Sequence, residues 1–188
     1  MRIAGFMAAG MALFLSGVLS VPALAQMNWA EFTDRDQHFT VNFPGDPKVE
    51  SIAYKTDKGT SLPAKVYSAK DARGGEYKIT VVDYTKAADE VATAVTEAAK
   101  TERSKGDLRY DAVEHQNNIK SQRTSLALPN GRFLLAEVLA DHGRLFIMEA
   151  DTPPKMPPPS QFQASLQVLD DNGVAIRYKS PGSTERVR

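Results

Sequence analysis

The sequence predicts an α+β protein, a three-layer α/β/α sandwich around a mostly antiparallel sheet. The strands on either side of a Pro-Asn-Gly turn, residues 121–128 and 132–140, are apolar on both faces, so both faces must be covered. Two segments with helical spacing of apolar residues, 86–105 and the one that begins at Ser160, can each supply one cover. Connections of hairpin length favour antiparallel pairing, because parallel strands need long crossovers.

The first 25 residues match a bacterial signal peptide. Arg2 is a short basic start, residues 3–19 carry no charge, and an Ala-Leu-Ala sequence ends at Ala25. Cleavage is therefore expected between Ala25 and Gln26. A retained membrane anchor is the alternative, because the apolar run is close to the length that spans a bilayer. No cysteine follows to carry a lipid, so a lipoprotein is not expected.

Export predicts a periplasmic or secreted protein with one globular domain over residues 26–180 and a flexible tail over residues 181–188. An exported domain meets an oxidising compartment, yet this chain contains no cysteine, so burial of its core must stabilise it without disulfides. A domain of this size buries about two-thirds of the surface of its unfolded chain, which is enough for one core.

The charge of the chain argues against two classes of partner. Residues 1–25 contain one charged residue, Arg2, so the mature chain carries 22 basic and 23 acidic side chains. A chain so close to neutral has no electrostatic reason to bind nucleic acid or an anionic membrane. After cleavage no stable membrane insertion is expected.

Period-two alternation and β-branched residues predict the remaining strands, and short polar turns separate them. Phe39, Val41 and Phe43 lie on one side of an extended segment that ends at a Pro-Gly-Asp-Pro turn. The segment 107–118 is polar and has no clear pattern. The other predicted strands are residues 49–55, 62–69, 77–84, 145–150 and 174–178.

Each predicted helix has an apolar face and a boundary signal. In the first, Val91, Val95 and Ala98 have helical spacing, and Gly106 is expected to end the helix. In the second, Ser160 is the N-cap and a stripe at i, i+4 and i+7 follows. The residues of that stripe are Phe162, Leu166 and Leu169.

The clearest hairpin signal is Asn130-Gly131 between two apolar runs. It predicts a two-residue type I′ turn, in which both central residues have positive φ. That turn would place Leu128 opposite Phe133 and Leu126 opposite Leu135.

Several features together carry a resemblance to a known family. The chain opens with the form W-x-E-F…F-x-V-N-F-P-x-x-P; a Tyr-x-Ile-Thr-Val-Val-Asp-Tyr strand, an alanine-rich helix, an apolar hairpin and a late Phe-containing helix follow. Over residues 29–169 it resembles the PsbP-like domains, named for an extrinsic protein of photosystem II, and small exported bacterial proteins of unknown function. The resemblance implies the α/β/α sandwich. It supplies no catalytic residues, and no segment matches one that docks on a photosystem.

The motifs of enzymes are missing from the sequence. There is no cysteine and no Gly-x-Ser-x-Gly elbow, and the Gly74-Gly75 pair precedes a strand rather than a helix. We therefore expect a non-enzymatic binding or assembly module without a cofactor. It would bind a protein partner in the periplasm through an exposed sheet edge or the cleft beside a helix. A small hydrolase with a dispersed site is one alternative.

A metal-handling protein is the other alternative. Asp111, Glu114 and His115 have i, i+3 and i+4 spacing, so a helix would place them on one face. Two carboxylates and an imidazole could then bind zinc or manganese. A solvated polar loop is the other interpretation of these residues, because charged side chains are mostly exposed.

Overall fold

The computed structural model describes residues 29–156, 160–178 and 186–187. Of these residues 53% lie in strands and 12% in helices. The elements are β1 (Ala30–Asp34), β2 (Phe39–Phe43), β3 (Lys48–Lys55), β4 (Ser61–Lys70), β5 (Glu76–Asp83), α1 (Val91–Arg103), β6 (Asp107–Gln116), β7 (Ile119–Ala127), β8 (Phe133–Asp141), β9 (Arg144–Thr152), α2 (Ser160–Ala164), β10 (Gln167–Val168), β11 (Arg177–Tyr178) and β12 (Arg186–Val187).

The strands form one large and two small antiparallel sheets. The large sheet has seven strands in the order β3-β4-β5-β9-β8-β7-β6, a second sheet has the order β1-β2-β10, and β11 pairs with β12. Strands β5 and β9 are neighbours, so α1 and the β6–β8 meander are inserted between them in the sequence. This insertion leaves β3 and β6 as the edge strands of the large sheet.

Helix α1 packs on one face of the large sheet. Its buried side includes Ala94, Ala98 and Ala99. These alanines belong to one apolar cluster with Val82 and Leu145 of the sheet. Small side chains allow the helix backbone to lie close to the sheet, and β-branched and leucine side chains of the strands fill the space between them.

The opposite face of the large sheet is covered by the β1-β2-β10 sheet. Phe39 and Phe43 are fully buried there, and the ring centroids of Phe39 and Tyr67 lie 5.0 Å apart in an edge-to-face arrangement. Phe43 packs on Phe162 of α2 with centroids 5.3 Å apart. The alternating aromatic residues of β2 therefore serve the core, as their period-two pattern predicts.

The predicted α/β/α sandwich is wrong, because the second face carries a sheet rather than a helical layer. Helix α2 has only five residues, and the chain after it is extended and pairs with β2, Gln167 opposite Thr40 and Val168 opposite Phe39. Phe162, Leu166 and Leu169 are all buried as a stripe predicts. The short helix α2 and the extended chain after it bury the same three positions that one long helix would bury. The spacing of these apolar residues therefore did not distinguish the two structures.

The hairpin at Asn130-Gly131 has a different register from the predicted one. Phe133 lies opposite Ala127, and Leu134 lies opposite Leu126. φ is positive at Gly131 (+76°) but not at Asn130, and Gly131 N–H donates to the Leu128 carbonyl at 2.9 Å. The loop is thus a three-residue turn with the left-handed residue at its end. Pro129, whose φ is restricted to negative values, suits the first position of that turn.

The polar segment 107–118 forms β6 and a turn. Gln116 pairs with Ile119, and the two residues between them, Asn117 and Asn118, have φ of +49° and +65°. This is the two-residue type I′ geometry that the sequence predicts at Asn130. Asparagine tolerates the left-handed region, so the turn forms without glycine.

Some predictions concern parts of the chain that are not described. Residues 1–25 and the cleavage site at Ala25 and Gln26 lie outside the described residues, and so do residues 157–159. Of the predicted tail 181–188, only 186–187 are described, as strand β12. Within the described residues, no helix combines the length and the apolar character required to cross a bilayer.

Candidate functional site

The candidate site lies on the α1 face of the large sheet, beyond the C-terminal end of the helix. Helix α1 ends at Arg103, while strands β4, β5, β9 and β8 continue past it. Their uncovered part forms the floor of a cavity of about 580 Å³, which we call the shelf. The residues that line it are Pro44, Asp46, Lys48, Ser68, Ala69, Lys70, Glu76, Tyr77, Lys78, Lys105, Leu128, Leu134, Glu149 and Asp151.

Strand register places charged side chains in a row across the floor. Lys48 lies opposite Ser68, Ser68 opposite Lys78, and Lys78 opposite Glu149. Directly opposite residues in an antiparallel sheet share a face, so all four side chains point to the α1 side. Four neighbouring strands thus contribute one polar group each to this row.

A second row, two residues further along the strands, changes from charged to apolar. Lys70 lies opposite Glu76, Glu76 opposite Asp151, and Asp151 opposite Leu134. Leu134 is buried, and Leu128 beyond it is half-buried. The shelf therefore has a charged end over β3–β5 and an apolar end over β7 and β8.

Glu149 is the centre of the ionic contacts in the shelf. Its Oε2 lies 2.5 Å from Lys78 Nζ, and its Oε1 lies 2.8 Å from Lys105 Nζ. Lys105 also donates to both carboxylate oxygens of Glu102 at 2.7 Å. These contacts join the end of α1 to the central strands β5 and β9.

The two carboxylates that share Lys105 have opposite pKa shifts. Burial raises the pKa of Glu102, the nearby charge of Glu149 raises it further, and Lys105 offsets only part of this. Burial also acts to raise the pKa of Glu149, but the charges of Lys105 and Lys78 outweigh it and lower that pKa. Burial and the attraction of both carboxylates oppose each other at Lys105, and the net effect raises its pKa. The lowered pKa of Glu149 and the raised pKa of Lys105 both favour the ionised forms of this pair at neutral pH.

Two of the remaining lining carboxylates form an ion pair with a basic side chain, and one does not. Glu76 lies 2.6 Å from Lys70 Nζ, and Asp151 lies 2.6 Å from Arg132 Nε. Asp46, exposed at the rim, makes no ion pair within 4.0 Å in the described part of the chain. The shelf thus presents one carboxylate that no cation of the described residues neutralises.

A close approach of two backbone segments forms the wall next to Lys105. A Cβ on Gly106 would lie 2.5 Å from the carbonyl oxygen of Ala127 and 3.3 Å from Cα of Leu128. Glycine at this position allows the chain that leaves α1 to pass directly against the end of β7. Gly106 follows the helix as predicted, and its contact with β7 also fixes the position of Leu128 in the shelf.

The predicted metal ligands do not come together. The segment that carries them is strand β6 rather than a helix, so side chains alternate between the two faces. Asp111 bonds Arg103 of α1 at 3.1 Å, whereas Glu114 contacts Arg123 at 2.8 Å on the opposite face. His115 shares the face of Asp111 but is exposed. No group of three possible metal ligands occurs among the described residues.

Sequence reasoning missed the shelf because its residues are distant in the chain. One signal was present: Glu149 lies within the apolar run of β9, and Glu137 lies within the apolar run of β8. A charged side chain in a buried central strand needs an ion pair or hydrogen bonds to offset the cost of its burial. Glu137 finds Ser121 and Arg123, both at 2.8 Å, on the face opposite the shelf. Of these two glutamates, Glu149 lines the cavity and Glu137 does not.

No protein-family model matches the chain, and no curated protein is significantly similar to it. The resemblance to PsbP-like domains therefore stays a prediction, and the α/β/α layering that it implies is not the layering of this chain.

Proposed function

We propose that this protein is an exported, non-enzymatic binding module that holds a small ligand on the shelf. The cavity volume of about 580 Å³ lies within the range of about 300–1,000 Å³ that small-molecule pockets occupy. Its lining combines apolar side chains with a few polar groups, which is the composition of such pockets. Export of the protein rests on the N-terminal sequence alone.

One observation carries the proposal: Glu149 lies on a central strand, between two lysines, at the floor of an open cavity. The neighbours of Glu149 on its strand are apolar and buried, so a charge there breaks the local pattern. Such exceptions are expected at functional sites, where stability is given up for a role. Because the charged groups lie on strands of a seven-stranded sheet, they are held rigidly for a ligand.

The lining favours binding over chemistry. Glu76, Glu149 and Asp151 each contact a cation within 2.8 Å. The pKa of Glu149 is lowered by its two lysines, which suits recognition of charged groups better than the transfer of protons. A hydrolase with a dispersed site stays an alternative prediction, and a metal-handling role has no converging ligands to support it among the described residues.

Magnetic resonance titration tests the proposal. The mature chain is titrated with a library of amino acids, dipeptides, organic acids and amines, and the backbone amides are followed. We expect at least one compound class to shift the amides of Ser68, Lys78 and Glu149 together, because these residues form one row of the floor.

Two tryptophan variants provide the control for that titration. Ser68→Trp fills the floor and should abolish the shifts, whereas Ser61→Trp, at the exposed start of the same strand, should preserve them. The proposal fails if no compound shifts the three amides, or if Ser68→Trp leaves the shifts unchanged.

A further inference from the structure

We infer that the occupant of the shelf is a small zwitterion with an aliphatic group, the chemistry of a short peptide with free termini. This inference rests on the proposed function and specifies its ligand. Four features carry it: the balance of charge in the lining, the pairing of those charges, their spacing, and the position of the apolar end.

The charges of the lining balance. Four lysines and four carboxylates line the cavity, so the site has no net charge that would favour a simple anion or a simple cation. All four lysines are already paired, and each has a carboxylate oxygen within 2.8 Å of its Nζ. The pairs are Lys48 with Glu50, Lys70 with Glu76, Lys78 with Glu149, and Lys105 with Glu102 and Glu149.

Because the lysines are already paired, the charge of the ligand affects how well it can bind. A ligand anion that contacts Lys78 competes for its ammonium group with Glu149, which is largely buried. A lone anion would leave that carboxylate with a weakened set of partners, and an unpaired buried charge is costly. A ligand that also brings an ammonium group restores the balance. Binding of a molecule that carries both an anionic group and an ammonium group is therefore favoured over binding of a molecule with only one of them.

The spacing of the charged positions on the floor is similar to the distance between the two charges of a short peptide. Lys78 and Glu149 are directly opposite on neighbouring strands, as are Lys70 and Glu76. The paired charged atoms lie 2.5–2.6 Å apart, but neighbouring strands are about 4.8 Å apart, so the backbone positions that carry these charges repeat across the floor at about that distance. The acid and amino groups of a short peptide are separated by a comparable distance or slightly more.

Asp46 and the leucines indicate where the ammonium and the aliphatic group lie. Asp46 is the lining carboxylate without an ion pair in the described chain, so an ammonium group can contact it without breaking an internal pair. Leu128 and Leu134 line the cavity next to the charged row, and Leu128 is half-buried whereas Leu134 is buried. An aliphatic side chain placed there leaves water, which is favourable in proportion to its buried area.

A set of four matched peptides tests the inference on the mature chain. Calorimetry compares glycyl-leucine that has free termini with its N-acetylated, its C-amidated and its doubly blocked forms. We expect each single block to weaken binding by about tenfold or more, because a charge-assisted hydrogen bond is lost. The inference is overturned if a blocked form binds as tightly as the free peptide, or if the free peptide does not bind at millimolar concentration.

Asp46→Asn gives a second readout that a merely structural effect would not produce. It should weaken the free peptide about tenfold and leave the N-acetylated form unchanged, since the acetylated form has no ammonium group. Asp57→Asn, in the exposed β3–β4 loop outside the cavity, is the control and should change neither. Equal weakening of both peptides by Asp46→Asn would contradict the assigned contact.

The same measurements separate the two proposals. If a blocked peptide or a simple organic acid binds and Ser68→Trp abolishes that binding, the shelf is a binding site and only the zwitterion inference fails. If the peptides and the wider library all leave the amides of the shelf unshifted, both proposals fail.

Discussion

Lys105 joins helix α1 to the central strand β9, because its Nζ lies 2.8 Å from Oε1 of Glu149. The two residues are 44 positions apart in the sequence. On the other side of Glu149, Lys78 Nζ lies 2.5 Å from Oε2. One carboxylate thus ties the end of the helix to two neighbouring strands and forms the floor of the shelf.

Glu149→Gln should lower the free energy of unfolding by about 1–3 kcal/mol. Removal of one partner of a buried pair costs about 3–5 kcal/mol, and the cost is smaller here since Lys78 and Lys105 can each turn toward water. Their side chains are 40% and 35% exposed. Urea denaturation of both proteins measures the difference.

Glu76→Gln is the matched control for that measurement. It removes the carboxylate of the Lys70–Glu76 pair, whose side chains are 72% and 51% exposed. An exposed pair contributes about 0–1 kcal/mol, so this variant should stay close to wild type. If both glutamine variants lost the same stability, the special position of Glu149 would be refuted.

Stability should depend on pH with opposite signs at Glu102 and Glu149. The ordinary pKa of both groups is 4.5, and the fold lowers that of Glu149. Its contribution to stability is therefore present above pH 4.5 and is lost as the pH falls through its lowered pKa. The loss caused by Glu149→Gln should be largest at neutral pH and should shrink as the pH falls below 4.5.

Glu102 should behave in the reverse way, because the fold raises its pKa above 4.5. Its favourable contribution is complete below 4.5 and is lost as the pH rises through the raised value. Relative to wild type, Glu102→Gln should therefore become more stable as the pH rises toward neutrality. Denaturation curves for wild type and both variants across the acid range provide the comparison; parallel pH profiles would show that the two carboxylates are not shifted apart.

The same Asn→Gly substitution should have opposite effects in two turns. Asn118 has φ of +65°, so glycine relieves backbone strain there and should raise stability by up to about 1 kcal/mol. Asn130 lacks a positive φ, and its Oδ1 accepts a hydrogen bond from Arg132 N–H at 3.1 Å. Asn130→Gly should therefore lower stability, by about 0.5–1 kcal/mol.

Thermal denaturation of the two turn variants measures both effects. A gain in stability from Asn130→Gly would support a type I′ turn at Asn130-Gly131, in place of the three-residue turn described above. The two variants control for each other, since each exchanges the same side chain in a hairpin loop of the same sheet.

Local patterns predicted those elements that neighbouring residues specify. The alternation of Phe39, Val41 and Phe43 predicted a strand with a buried face, and all three side chains are fully buried. The spacing of Val91, Val95 and Ala98 predicted a helix, which is α1. Apolar residues on both faces of the strands around the Pro-Asn-Gly turn predicted cover on both sides, and β8 has it, with Leu139 in the core on one face and Val138 in the core on the other. In each case periodicity and burial are properties of a short segment.

Patterns failed where different structures bury the same positions. Phe162, Leu166 and Leu169 are buried by a short helix and a strand instead of one helix, and the partner that decides this is β2. In β6 the polar side chains hide the alternation, because an edge strand of the sheet has few buried positions. At the Pro129-Asn130-Gly131 turn, proline has no N–H to pair with Arg132 across a two-residue loop, and the register differs by one residue from the predicted one.

The shelf could not be found from the sequence, because its floor consists of residues that only strand pairing brings together. Residue types alone established a chain with nearly balanced charge, a core without disulfides and a set of segments with an apolar side. Pairing of β5 with β9 then put Lys78 beside Glu149, and the length of α1 left that pair uncovered. Periodicity acts over a few residues, whereas sheet register and the end of a helix depend on contacts between segments far apart in the chain.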